Sequence, residues 1–187
     1  MSKIDPAKPL PLIHRREIVA QSRLFKVERL DLEFSNGATR QFERMAGHSR
    51  GAVMIVPMLD AHTLVLVREY AAGTHSYQLG FPKGLIDPGE SPLQAANREL
   101  QEEAGYAARE LQEIHSVSMA PTFFNSHMSI VMARDLYSSH LPGDEPEPLE
   151  VVTWPLEQAD ALLAREDFIE ARCIAALFLA QKWLKEQ

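Results

Sequence analysis

A chain of 187 residues, 45% hydrophobic and 24% charged, is long enough to bury a core of its own and reads as one globular domain. Lys and Arg total 19 against 26 Asp and Glu, a net charge of −7, which excludes the basic footprint a nucleic-acid polymer needs. A polyphosphate site on such a chain must recruit its own positive charge. The single cysteine, Cys173, excludes an internal disulfide and any multi-cysteine zinc site, and is expected as a small buried hydrophobe.

The first ten residues read as a loose arm. Met1 to Arg16 carries Pro6, Pro9 and Pro11 and lacks the apolar stretch of a signal peptide. No apolar run approaches the roughly 18 residues of a membrane helix, so the expectation is a cytoplasmic protein with no membrane partner. From Arg16 to Met45 the pattern is β. Leu30, Leu32 and Phe34 alternate as on a half-exposed strand, Ser35-Asn36-Gly37 supplies a tight turn, and 39–45 is the returning strand.

Two more apolar runs, 52–59 and 63–70, are separated by Asp60-Ala61-His62 and read as central strands buried on both faces. Residues 71–89, punctuated by Gly73, Gly80, Pro82, Gly84 and Pro88, read as a loop. Ser91-Pro92 then opens a helix, with Ser91 as N-cap and Pro92 at its first position, running to about Glu103 and ending at Gly105. Further strands are expected at 111–118, 127–133 and 150–154, and helices at 156–165 and 167–185. Strands on either side of a helix, followed by terminal helices, predict an α/β or α+β sandwich.

The helix from Pro92 holds the chemistry. At about 100° per residue, Leu93, Ala96, Leu100 and Ala104 fall within roughly 80° and form a buried stripe. Glu99, Glu102 and Glu103 occupy an adjacent arc of roughly 100°, at the edge of the core instead of opposite it. Like charges at that spacing repel. Three carboxylates bordering the core, directly after a glycine- and proline-rich loop, suit a hard divalent cation that keeps positions open for phosphate oxygens. Such an ion would also bring the positive charge that the composition lacks.

Gly84, Glu90, Arg98, Glu99, Leu100, Glu102, Glu103 and Gly105 together resemble the signature of the Nudix hydrolases, Gly-x5-Glu-x7-Arg-Glu-U-x-Glu-Glu-x-Gly-U, with U a bulky apolar residue. Every fixed position matches, and Tyr106 stands where an aliphatic residue is usual. The resemblance implies an α/β/α sandwich with a mixed sheet, and hydrolysis of a nucleoside diphosphate linked to another group, with Mg²⁺ or Mn²⁺. Carried over by position, Glu99 and Glu103 would be the principal metal ligands and Glu102 a ligand or water-positioning carboxylate. The carbonyl of Lys83 would be a further ligand. Glu90 and Arg98 would form a structural pair, consistent with the bidentate geometry an arginine offers a carboxylate. The acidic loop 143–148 would supply a general base, with Glu145 preferred to Glu147.

Arg68-Glu69-Tyr70 and Phe42-Glu43-Arg44 resemble the ADP-ribose pyrophosphatase subgroup. Ala71 replaces the arginine usual after such a tyrosine, and the loop from Gln78 to Gly84 is longer and ends Pro-Lys-Gly. These departures, with Gly84-Leu-Ile-Asp-Pro-Gly-Glu-Ser91, bring the chain nearer the bacterial ADP compounds hydrolase type, whose substrates are ADP-ribose, NADH and diadenosine polyphosphates. Arg44, Arg68 and Gln78 are the implied substrate-binding residues, with Arg44 and Lys83 as phosphate contacts. Phe81, Phe123 and Phe124 are aromatic faces able to stack adenine, with core packing the expected fate of any one of them. By the same resemblance 1–45 would be an arm and hairpin extension that pairs two subunits, and 46–187 the Nudix domain. Two other functions remain open: a nucleoside-diphosphate-sugar pyrophosphatase, and a module that senses ADP-ribose or NAD without cleaving it. Retention of all three glutamates weighs against the second.

Overall fold

The protein is described by a computed structural model over residues 9–46 and 50–187. The expected N-terminal arm lies outside the described residues, apart from Pro9 and Leu10, which are exposed and precede the first strand. The chain forms two compact units, Met1–Ser49 with Ser118–Ser126, and Arg50–Val117 with His127–Gln187.

The first unit is an antiparallel sheet of β1 (Leu12–Gln21), β2 (Lys26–Glu33) and β3 (Thr39–Met45), with β2 in the middle. Gly37 takes φ 80° in the turn between β2 and β3, a conformation that asks for glycine. Phe34 closes that turn by donating its N–H to Ala38 O at 2.9 Å. The strand β1 begins at Leu12 instead of Arg16. Its side chains are nearly all exposed, so it has no inside–outside alternation for a sequence pattern to register. The segment 118–126 joins this unit through Met45, whose N–H donates to Phe123 O at 2.7 Å.

The second unit holds β4 (Ala52–Pro57), β5 (Thr63–Ala71), β6 (Ser76–Gly80), β7 (Lys83–Leu85), α1 (Pro92–Ala104), β8 (Tyr106–Ser118), β9 (His127–Ser138), β10 (Glu150–Pro155), α2 (Ala159–Leu163) and α3 (Ala171–Lys185). One sheet has the order β7-β4-β9-β8 and the other β10-β5-β6. β4 runs parallel to β9 but antiparallel to β7, so the first sheet is mixed.

Alternation along β4 and β5 builds the layers. Val53, Ile55, Val65 and Val67 join Ala95, Ala96, Leu100 and Ala104 of α1 in one core. Ala52, Met54, Val56, Leu64 and Leu66 face the other way, onto Leu162 of α2 and Cys173, Ala176 and Leu177 of α3. Each fully buried Val, Leu or Ile adds about 1.5–3 kcal/mol over its exposed state. Helices on both sides of the strands make the expected α/β/α sandwich.

Besides β1, several elements differ from the sequence reading: β8 already starts at Tyr106, β9 runs on to Ser138, and the helix expected at 156–165 is α only over Ala159–Leu163. Residues 71–89 are not one loop but contain β6 and β7. The chain crosses between sheets at Pro82, leaving β6 paired with β5 and placing Lys83 opposite Met54 of β4. Such short strands exist only because a partner edge waits for them. The last helix begins at Ala171 and not at Asp167. Asp167 is held by Arg165 and Arg68, its carbonyl accepts from Leu79 N at 2.7 Å, and Glu170 takes the cap by accepting from Arg172 N and Cys173 N.

Candidate functional site

The helix α1 is fixed at both ends by its own sequence. Ser91 Oγ accepts from Gln94 N at 3.3 Å and Gln94 Oε1 accepts from Ser91 N at 2.8 Å, a reciprocal box that satisfies two otherwise free donors. Gly105 ends the helix at φ 73°. With both ends set, Glu99 and Glu103 are carried to the edge of the core, only 8% and 6% exposed. Glu102 is half-buried beside them.

The strand β7 meets this acidic face. Lys83 N donates to Glu103 Oε2 at 3.0 Å. Gly84 lies so close to Glu99 that a Cβ there would overlap the carboxylate, which is why the position takes glycine. Arg98 reaches over the top. Its Nε and Nη2 grip Glu90 at 2.9 and 3.0 Å, and Nη2 also donates to Leu85 O at 2.9 Å. Its Nη1 donates to Glu99 Oε1 at 2.8 Å and Glu102 Oε2 at 2.9 Å. One guanidinium thus ties the loop before α1 to two of the three glutamates.

Burial pushes the Glu103 carboxyl up to about 8, with the charges of Glu69 and Glu99 adding to the rise and Lys83 opposing it. Glu99 is also raised, chiefly by burial, against the pull of Arg98. For the Lys83 ammonium, burial acts to lower the pKa, but the paired carboxylate of Glu69 outweighs it and the net shift is upward. Glu90 is held low by Arg98.

These side chains line a cavity of about 500 Å³, bounded by Glu69, Lys83 and Gly84 on one side, Glu99, Glu102 and Glu103 on another, and Gly143, Asp144 and Glu145 at its rim. Among the described residues no three acidic, histidine or cysteine side chains already converge as a closed cage. The donor set nevertheless fits a hard divalent ion: it is all oxygen, and Glu103 is a buried carboxyl with excess negative charge around it.

The structure brings Glu99, Glu102, Glu103, Lys83, Gly84, Arg98 and Glu145 to one cavity, with Glu90 and Gly105 holding loop and helix end. It does not bring Arg68 and Gln78 there. Arg68 is bound to Glu150 and Asp167. Gln78 Nε2 donates to Ser76 Oγ at 2.7 Å, and Gln78 lines a second cavity with Tyr77, Arg165 and Asp167. Arg44 lies in the first unit, paired with Glu28 at 2.7 Å. Phe81 packs in the core and offers no stacking face: it is fully buried against Phe168, with ring centroids 6.3 Å apart. Phe123 is 53% exposed, beside Phe124 in the first unit. Cys173 is buried as expected, with its thiol pushed up to about 12 by burial.

Sequence reasoning missed Glu69 as the partner of Lys83. The two stand on strands of different sheets, and no spacing rule connects them.

A model of the NUDIX domain matches residues 48–177, and one of the NudE-type Nudix hydrolase N-terminal domain matches residues 11–44. The chain is 59% identical to the ADP compounds hydrolase NudE of Escherichia coli K12, over 95% of each chain. It is 30% identical to the ADP-sugar pyrophosphatase of Mus musculus, over 91% of this chain and 87% of that one. The ADP-ribose pyrophosphatase of Bacillus subtilis 168 is 28% identical, over 90% and 92%. A crystal structure of an ADP compounds hydrolase superposes with a TM-score of 0.91 at 57% identity, covering 98% of both chains.

Proposed function

This chain belongs to the Nudix hydrolase family, and we propose that it hydrolyses the pyrophosphate bond of ADP-containing compounds such as ADP-ribose, NADH and diadenosine polyphosphates, releasing AMP. The observation that carries the reading is the burial of Glu99 and Glu103 side by side at the wall of one cavity, beside Lys83 and Glu145.

Glu99 and Glu103, joined by Glu102 and the Lys83 carbonyl, would hold the divalent ion, Mg²⁺ with Mn²⁺ as substitute. When bound it supplies Lewis-acid polarisation of the phosphate oxygens and a more acidic water. The chain's own residues do the rest. Gly84 leaves room for the Glu99 carboxylate, and the Lys83 amide fixes Glu103. Arg98 and Glu90 set the loop on the helix. The Lys83 ammonium offers positive charge to a substrate phosphate, and a Glu145 carboxylate oxygen accepts the proton of the attacking water. Arg44, Arg68 and Gln78 are proposed substrate contacts, each expected to raise KM more than it lowers kcat when truncated.

Incubation with Mg²⁺ and a panel of ADP-ribose, NADH, diadenosine triphosphate and ADP-glucose, with products identified, tests the reading. AMP release is expected. The sugar nucleotide belongs in the panel because the chain resembles an ADP-sugar pyrophosphatase. Binding without AMP release from any of them would instead make the chain a sensing module.

We also propose that 1–45 serves as an extension joining two subunits and 46–187 carries catalysis. Exposed apolar side chains on β1, on β3 and in the turn between β1 and β2 support a homodimer: Leu12 is 61%, Ile18 46%, Leu24 64% and Phe42 45% exposed. Sedimentation as a stable monomer at micromolar concentration would overturn it. The proposed location is cytoplasmic, supported by the lone buried thiol of Cys173. No helix among the described residues is long and apolar enough to cross a membrane. The net charge of −7 supports small nucleotides over a nucleic-acid polymer as partners.

A further inference from the structure

The chain between β9 and β10 starts firmly. Ser139 N donates to Gly105 O at 3.1 Å and Leu141 N to Gln101 O at 3.3 Å, which fastens it to the end of α1. Beyond that point it is held differently. Pro142, Pro146 and Pro148 lack N–H donors and can give no hydrogen bond to a backbone ladder. Among the described residues, one hydrogen bond ties 142–149 to the rest of its unit: Tyr77 Oη donates to a carboxylate oxygen of Glu147. Two residues earlier stands Glu145, which lines the same cavity as Glu99.

The donor is far better fixed than the acceptor. Tyr77 stands on β6, directly opposite Tyr70 of β5, with the two rings edge to face at 5.8 Å. Tyr70 is itself held, its hydroxyl 2.8 Å from His75 Nδ1. Glu147 lies on an exposed segment between two prolines that restrict how its backbone can turn. A strand residue with a braced ring is a fixed post, and the acidic segment is fastened to its hydroxyl.

We propose that Tyr77 is a positioning residue, acting through Glu147 to hold the 142–149 segment so that Glu145 faces the catalytic cavity. The proposal rests on the reading that Glu145 acts at that cavity. Tyr77 is 51% exposed and Glu147 is exposed too, so water competes for this bond and it adds little to folding. Its consequence falls on the geometry of the segment. A general base must stand within hydrogen-bonding reach of the water it activates, and small displacements lower the rate steeply.

Tyr77→Phe removes one hydroxyl and keeps the ring contact with Tyr70. Two readouts decide the matter: hydrogen–deuterium exchange of peptides spanning 142–149, and kcat and KM for AMP release. Faster exchange confined to that segment is expected, with kcat lower by about fivefold, KM little changed and Tm unmoved. Glu147→Ala should reproduce both effects, and Glu147→Gln, which keeps an acceptor oxygen, should restore them. The double variant Tyr77→Phe/Glu147→Ala should be no worse than either single one, because both remove the same bond. Unchanged exchange in Tyr77→Phe overturns the proposal, as do wild-type kcat or additive losses in the double variant. Glu145→Gln separates this from the reading beneath it. If that variant keeps full turnover while Tyr77→Phe still loses it, the base assignment fails. The fastening of the segment to Tyr77 then stands by its exchange readout.

Discussion

Lys83 and Glu103 are joined through the backbone of one and the side chain of the other: the Lys83 amide donates to Glu103 Oε2 at 3.0 Å while the Lys83 ammonium is engaged by Glu69. A buried carboxyl is thereby aimed by a strand whose register with β4 is fixed by pairing. Glu103→Gln keeps the shape and an acceptor for that amide but removes the charge a divalent ion requires. AMP release should fall by about a hundredfold or more, beyond the 10–100-fold typical of residues one shell further out. The metal-free variant should melt no lower than the parent, because an unfavourable buried charge has been removed. Wild-type turnover would dismiss Glu103 as a ligand.

The same burial sets a pH dependence. Glu103, pushed up to about 8, and Glu99, also raised, bind protons more tightly folded than unfolded. Their contribution to stability is complete below the usual carboxylate range near 4.5 and is lost as pH rises towards about 8. Glu90, Asp167 and Glu170 are lowered by their arginine partners and act in the opposite sense, losing stability as pH falls through their depressed values. EDTA-treated protein should therefore melt highest in weakly acidic buffer and less well at pH about 8.5. Glu103→Gln should flatten the alkaline side of that profile, which thermal melts across the range will show.

Gly84→Ala tests the close approach of β7 to α1. The added Cβ would stand where the Glu99 carboxylate lies, and the neighbour at risk is a side-chain terminus that can swing away. The fold should survive, while displacement of Glu99 lowers kcat by about a hundredfold. Circular dichroism together with turnover distinguishes this from unfolding.

Arg98→Lys retains the charge and loses the fork. Four acceptors, Glu90, Leu85, Glu99 and Glu102, now share a single guanidinium. A lysine cannot reproduce the paired bonds to Glu90, and a loss of about 2 kcal/mol in urea-unfolding stability is expected. Activity should fall as well, since strand β7, which carries Gly84, is no longer fastened to Arg98 through Leu85 O.

Ser91→Ala provides the contrast. It removes half of the reciprocal cap at the start of α1, far along the helix from Glu103. Stability should fall by about 1 kcal/mol with kcat near its parental value.

Much of this site lay in local sequence. Ser91, Pro92 and Gly105 set where α1 begins and ends, because capping is a contest among neighbouring residues for a few backbone groups. The spacing of Glu99, Glu102 and Glu103 beside the apolar stripe is equally local, since a helix converts spacing directly into direction. The turn at Gly37 follows for the same reason. What lay beyond reach shares a different cause. The strands β6 and β7 are too short and too interrupted to be stable alone, and only the edges of β5 and β4 give them partners. The pairing of Arg68 with Glu150 and Asp167 joins residues distant in sequence, which no spacing rule connects. Which of the three phenylalanines is buried was decided by Phe168, which covers Phe81.

The net charge of −7 first set this chain against phosphate-rich partners. Sequence alone located the exception, three carboxylates on one helical arc, because that arrangement needs only the pitch of a helix. Tertiary structure decided what those carboxylates face. Burying Glu99 and Glu103, bringing Lys83 and Glu145 to the same cavity and pairing Lys83 with Glu69 required strands from two sheets and a distant loop to meet. Long-range packing makes those contacts, and no short stretch of the chain encodes them.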